Sequence, residues 1–301
     1  MDLMDLHNDF SKYFALEKGR TQGTIVTYKY NFNEFARWIE IRGMPLDVSV
    51  LSDYRVLKNF MYYLFDRKLD KQTIRQRMLS LKSFCKYLSR EGLLERNPFD
   101  RFDVPKKEKS LPKPLSDEHR DRLLTFTKSR YEKSKNIRDL QAVVMVELGL
   151  KAGLRKGAMR NMLWENTDLI NGFVRVIDKG QKEKCYVIPP SVVQWLKLLR
   201  LGRGSDRGHV LLSPRSRTPI SITSLHDEFK RYVKLSGLDA TEINLHRLRH
   251  TYGTNLFEGG IDIRDVQEAM GHEDIGSTLG YVEVSKTNLR EKIKRVFSNA
   301  K

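Results

Sequence analysis

Over residues 24–41 the apolar positions Ile25, Tyr28, Phe32, Phe35, Trp38 and Ile39 recur at helical spacing, and Gly43 with Pro45 closes the segment. The spacing predicts one amphipathic helix there, a second over residues 51–65 and a third over residues 72–88. In the third, Ile74, Met78, Leu81, Phe84, Cys85 and Leu88 share a face, Arg75, Arg77, Lys82 and Lys86 lie largely off it, and Gly92 ends it. The result is a small bundle with a basic side, suited to gripping duplex phosphates or simply to carrying solvated lysines.

Around Asn97-Pro98 the pattern gives way to Pro and Lys and stays so until Pro114. This predicts an extended basic linker over residues 105–115, between a helical domain of residues 1–104 and a second domain of residues 116–301. Ser116-Asp117-Glu118 reads as an N-cap with an acidic first turn, followed by helix through Leu124 and again over residues 140–150. Residues 173–177 and 185–188 are β-prone runs around a lysine-rich turn, a hairpin. Helical spacing returns over residues 192–201, 222–236, 246–257, 263–270 and 289–297. The expected fold class is mainly α with a small β-sheet or hairpin. In the last segment Leu289, Ile293, Val296 and Phe297 form an apolar stripe that either folds back on its own domain or docks on a neighbouring protomer.

Composition sharpens the choice of partner. The 301 residues carry a formal net charge of +17, and Lys and Arg recur in every region, which points to a polyanion such as DNA or RNA. Cys85 and Cys185 are the only cysteines, so neither a disulfide framework nor a thiolate metal site is indicated. The start, Met1-Asp2-Leu3-Met4-Asp5, lacks the basic and apolar regions of a signal peptide, and the run over residues 142–150 is broken by Glu147. A cytoplasmic protein without membrane partners is the expectation.

Candidate chemistry concentrates in the last third, where His246-Arg247-Leu248-Arg249-His250 precedes Gly271-His272 and Tyr281. Displacement at a phosphodiester passes through a highly anionic transition state, which cationic hydrogen-bond donors stabilise while a phenol supplies a nucleophile. His246 and Arg249, three apart on a helix, can reach one phosphate, whereas His250 reads as a satisfied, buried ring. Arg155 follows an apolar helix and Gly153, a place where a guanidinium can fork onto two phosphate oxygens. Lys179 in the hairpin turn has close rivals in Lys182 and Lys184. A zinc site at His246, His250 and His272 is disfavoured because Arg247 and Arg249 would repel the cation and no carboxylate or cysteine completes the set.

Taken in order, Gly153-Leu154-Arg155, the run from Ile177 through Asp178-Lys179-Gly180 to Lys184, His246 through Tyr252, and Met270-Gly271-His272 through Tyr281 resemble the motifs of the tyrosine recombinase, or phage integrase, family. The resemblance is to the simple two-domain, Xer-like type, host-encoded or from a mobile element, because the first helix near Thr24 leaves no room for an extra arm-binding domain. It implies an N-terminal SAM-like core-binding domain and a catalytic domain that together clamp duplex DNA. It further implies that Tyr281 forms a 3′-phosphotyrosyl link, that Arg155, Arg249 and His272 bind the non-bridging oxygens, that Lys179 protonates the leaving 5′-oxygen, and that His246 assists proton transfer. No cofactor and no metal are implied. The partners implied are double-stranded DNA with an inverted-repeat core site and three further copies of the chain, a homo-tetramer on two duplexes exchanging strands through a Holliday junction, associated with the nucleoid. Two departures stand out: Ala158 where the family usually has an acidic residue, and Asp178 where a glycine is common. A type IB topoisomerase and a non-catalytic DNA-binding paralogue are the rival readings.

Overall fold

The computed structural model describes residues 1–106, 113–177 and 183–270. The chain divides into two compact units, Met1–Ser110 and Leu111–Lys301.

The first unit consists of helices α1 (Leu3–Leu16), α2 (Gln22–Ile41), α3 (Val48–Ser52), α4 (Tyr54–Asp66) and α5 (Lys71–Arg90), followed by a 3-10 turn at Pro98–Arg101. Leu3, Leu6 and Phe10 of α1 pack with Phe32, Phe35 and Ile39 of α2, Leu57 and Phe60 of α4, and Met78, Leu81 and Phe84 of α5. Burying this set holds together helices that would be marginal alone. Helix α1 corrects the expectation that the first helix begins near Thr24. Its apolar positions are interleaved with Asp5, His7 and Asp9, and the acidic start that argued only against a signal peptide is a cap, since the Asp2 carboxylate accepts from Met4 N at 2.6 Å. Asp53 likewise divides the helix expected over residues 51–65: its carboxylate accepts from Arg55 N at 2.9 Å and starts α4 afresh. Hydrogen bonds from Ser49, Arg55 and Thr73 hold the capping carboxyls of Asp47, Asp53 and Asp70 below the usual range.

One basic residue of α5 is not on a solvated side. Arg77 is buried and pairs at 2.8 Å with Glu34, which also takes Arg67 at 2.7 Å. His7 is buried too, its ring stacked on Phe32 at 4.0 Å. Burial, and then the charge of Lys29, depress its pKa to about 3, so it is neutral at pH 7.

The second unit contains α6 (Asp117–Ser134), α7 (Ile137–Lys151), α8 (Lys156–Asn161), strands β1 (Thr167–Asp168), β2 (Phe173–Ile177) and β3 (Glu183–Val187), then α9 (Pro190–Arg203), α10 (Ile222–Leu235), α11 (Leu245–Glu258) and α12 (Ile263–Met270). Helix α7 is apolar nearly all round and forms the centre, contacting α6, α9, α10 and α11. Its Glu147 is fully buried and is met by Lys128 at 2.7 Å and Lys151 at 2.9 Å. The strands form an antiparallel sheet in the order β1-β2-β3, with Phe173 opposite Val187 and Ile177 opposite Glu183. Val174, Val176 and Tyr186 face the core, so the period-2 pattern has its inner side on the helices. The expected class, mainly helical with a small sheet, is the one found.

Candidate active site

Helix α7 ends at Lys151, and the chain turns through Gly153 at φ +62 before Arg155 caps α8. Glycine is required here twice over. The left-handed backbone disfavours any Cβ. A Cβ would also lie 2.3 Å from Cδ1 of Tyr252, whose ring covers the turn. Ala152 and Leu154 on either side are buried, so the core fixes the backbone that presents the half-exposed Arg155.

Helix α11 is started by Asn244, whose Oδ1 accepts from Arg247 N at 2.9 Å. His246 falls in its first turn with its outer edge open to solvent, and Arg249 follows one turn later with no exposed surface. The Arg249 guanidinium donates to the carbonyl oxygens of Gly153 and Met270. A single side chain thereby ties the turn before Arg155 to α11 and to the last residue of α12, which packs on Tyr252, Leu256 and Phe257. The two carbonyl dipoles take up Nη1 and Nη2 while neutralising less of the charge than a carboxylate would.

That charge is felt next door. The packed inner side of His246, and then the cations Arg249, Arg155 and Lys156, lower its pKa and so favour the neutral imidazole. His250, edge-to-face with it at 4.4 Å, is half-buried, and burial with the neighbouring His246 and Arg249 brings its pKa down to about 4. On its far side α11 holds the incoming chain: Thr251 Oγ1 accepts from Leu115 N at 2.8 Å, and Arg247 Nε donates to Lys113 O at 3.1 Å.

Three of the residues singled out in the sequence, Arg155, His246 and Arg249, are thus brought together. Lys179, His272 and Tyr281 lie outside the described residues, as do the rival Lys182, Asp178 and the stripe at residues 289–297. Lys184 is on β3 and half-buried. Chain connectivity leaves Lys179 two residues beyond the end of β2 and His272 two beyond Met270. Sequence reading missed Tyr252, Thr251 and the field of Lys156. A tyrosine after a histidine-arginine motif carries no signal of the glycine it will cover. Ala158, in the place of an acidic residue, is fully buried on the inner face of α8.

A small antiparallel sheet beside a helical core, with Arg155, Arg249 and a histidine of lowered pKa gathered on it, fits the architecture of an integrase-type catalytic unit. Residues 113–288 match the phage integrase family and residues 6–107 the phage integrase SAM-like domain. Tyrosine recombinase XerD of Vibrio vulnificus (strain YJ016) is 31% identical over 283 residues, 92% of this chain and 90% of that protein. Tyrosine recombinase XerC of Bacillus subtilis (strain 168) is 31% identical over 289 residues, 93% of this chain and 92% of that protein. Among solved structures, XerH recombinase in a post-cleavage complex with its difH substrate superposes with TM-score 0.72 at 18% identity, covering 90% of this chain and 79% of that one. A lambda integrase tetramer bound to a Holliday junction gives TM-score 0.71 at 17% identity, covering 93% and 77%. The chain belongs to the phage integrase family of tyrosine recombinases, enzymes that break and rejoin DNA at specific sites. No described helix is long and apolar enough to cross a membrane.

Proposed function

We propose that this chain recombines DNA at an inverted-repeat core site through a covalent tyrosine intermediate. Tyr281 attacks the phosphorus, its oxygen forming a 3′-phosphotyrosyl bond as the bond to the 5′-oxygen breaks. The 5′-oxygen takes a proton from Lys179 and leaves as a hydroxyl. Arg155, Arg249 and His272 hold the non-bridging oxygens, and His246 accepts the phenolic proton. The observation that carries the reading is the gathering of Arg155, His246 and Arg249, with Arg249 on the same helix as His246 and bonded to the Gly153 carbonyl two residues before Arg155; burial first, and then the charges of Arg249 and Arg155, lower the His246 pKa. A phenol with an ordinary pKa of about 10 needs such surroundings to react at neutral pH.

Four copies on two duplexes exchange one pair of strands at a time through a Holliday junction, within the cytoplasm at the nucleoid. Residues 105–115 act as the linker between DNA-gripping and catalytic units, and the terminal stripe at residues 289–297 links protomers. The test is incubation with nicked suicide DNA carrying a core site. A covalent protein–DNA adduct is expected, absent in Tyr281→Phe. An adduct of undiminished yield in that variant would refute the assignment.

A further inference from the structure

Helix α8 serves two different parts of the site from its two ends. Arg155 is its N-cap, and Asn161, its last residue, donates Nδ2 to the carbonyl oxygen of Ile177 at 3.1 Å. Asn161 is six residues on from Arg155, about 9 Å at 1.5 Å per residue. The orientation of the Asn161 amide is itself fixed, because Oδ1 accepts from Arg160 Nη1 at 2.7 Å. Nδ1 of His209 is 2.9 Å from the Arg160 carbonyl oxygen, and Ala158 and Met159 have no exposed surface, so the short helix is pinned on several sides.

Ile177 closes β2 and pairs with Glu183 as the last rung of the ladder. Its side chain is 60% exposed, so apolar packing does little to hold this end of the strand. The Asn161 bond does so instead, at a carbonyl two residues before Lys179. We propose that Asn161 is a positioning residue for the hairpin loop: it fixes where the chain leaves β2 and so sets the reach of Lys179 to the leaving 5′-oxygen. The inference rests on the reading of Lys179 as the proton donor. By this arrangement one short helix is tied at one end to Arg155 and at the other to the end of the strand that precedes Lys179. A misplacement near 1 Å in a reacting group can cost on the order of 100-fold in rate.

The chemistry supplies a readout that loss of structure would not move. When the bridging 5′-oxygen is replaced by sulfur, the leaving group is a thiolate, whose conjugate acid has a pKa of about 8.5, and departure needs no proton. Full-length protein is assayed for adduct formation on suicide DNA with oxygen or sulfur at that position, comparing wild type, Asn161→Ala, Asn161→Asp and Lys179→Ala. On oxygen both Asn161 variants are expected to slow by about 10- to 100-fold. On sulfur they, and Lys179→Ala, return toward the wild-type rate. Equal slowing of the Asn161 variants on both substrates, with Lys179→Ala restored, would overturn the positioning role and leave the proton donor standing. Failure of sulfur to restore Lys179→Ala would overturn both. Wild-type speed of Asn161→Ala on oxygen would overturn the inference alone.

Discussion

Replacing Gly153 by alanine adds one methyl group at the point where α7, α11 and the approach to Arg155 meet. Two costs follow from the geometry. At φ +62 an L-residue loses roughly 1 kcal/mol or somewhat more relative to glycine. The new Cβ would sit 2.3 Å from Tyr252 Cδ1 and 2.6 Å from Cε1, so the ring must tilt. Overpacking of this kind costs about 1–3 kcal/mol. The carbonyl of Gly153 is held by Arg249, so the backbone cannot simply retreat. The sum, about 2–4 kcal/mol, corresponds to a fall in Tm of roughly 4–16 °C for a unit of this size. Thermal melts of wild type, Gly153→Ala, Tyr252→Ala and the double variant separate the terms. In the Tyr252→Ala background only the backbone part should remain, leaving a coupling of about 1–3 kcal/mol. Adduct formation should fall as well, because the turn presents Arg155. A Gly153→Ala protein that melts with the wild type, or costs that simply add, would refute the close-approach reasoning.

Other perturbations test other parts of the molecule. His7 has a folded pKa of about 3 against 6.5 unfolded, so its contribution is complete above pH 6.5 and is lost as pH falls toward 3. At pH 4.5 this amounts to about 2–3 kcal/mol. His7→Phe keeps a ring on Phe32, and urea titrations at pH 7 and 4.5 should show a smaller acid loss than in wild type; equal losses would argue against a buried neutral imidazole. Removing both Lys128 and Lys151 strands the Glu147 carboxylate in the core and should destabilise by about 3–5 kcal/mol. Glu147→Met, which frees two lysines already able to reach solvent, should cost far less, and denaturation of both variants distinguishes the cases. Truncation after Ser285 should abolish cooperative assembly on paired core sites while single-site binding persists in gel-shift titrations; unchanged cooperativity would count against the protomer-linking role.

What could be read from the sequence was what depends on local period. The hairpin strand at Phe173–Ile177 and helix α12 at Ile263–Met270 stand where alternation and helical spacing put them. Helix α1 and the break at Asp53 escaped because an aspartate is both a helix-interrupting polar residue and a cap, and the pattern alone does not say which. Helix α8 is too short for a period to show. In the site, the pairing of His246 with Arg249 follows from spacing on one helix, but the complete burial of Arg249 does not. That depends on two carbonyls, one 96 residues earlier and one 21 later, whose approach no local pattern encodes. Arg77 is a similar case, since its partner Glu34 is on another helix.

The strap formed by Lys113 and Leu115 on the outer side of α11 bears on how the catalytic unit can be dissected. Its Lys113 carbonyl and Leu115 amide are taken up by Arg247 and Thr251, residues interleaved with His246 and Arg249, and the Leu115 side chain is sunk into the same core as α7. An expression fragment begun at Ser116 would strip two backbone partners from the helix bearing His246 and one apolar side chain from the core. Boundaries for a minimal catalytic fragment belong upstream of Lys113, where the polypeptide has not yet been stitched to that helix.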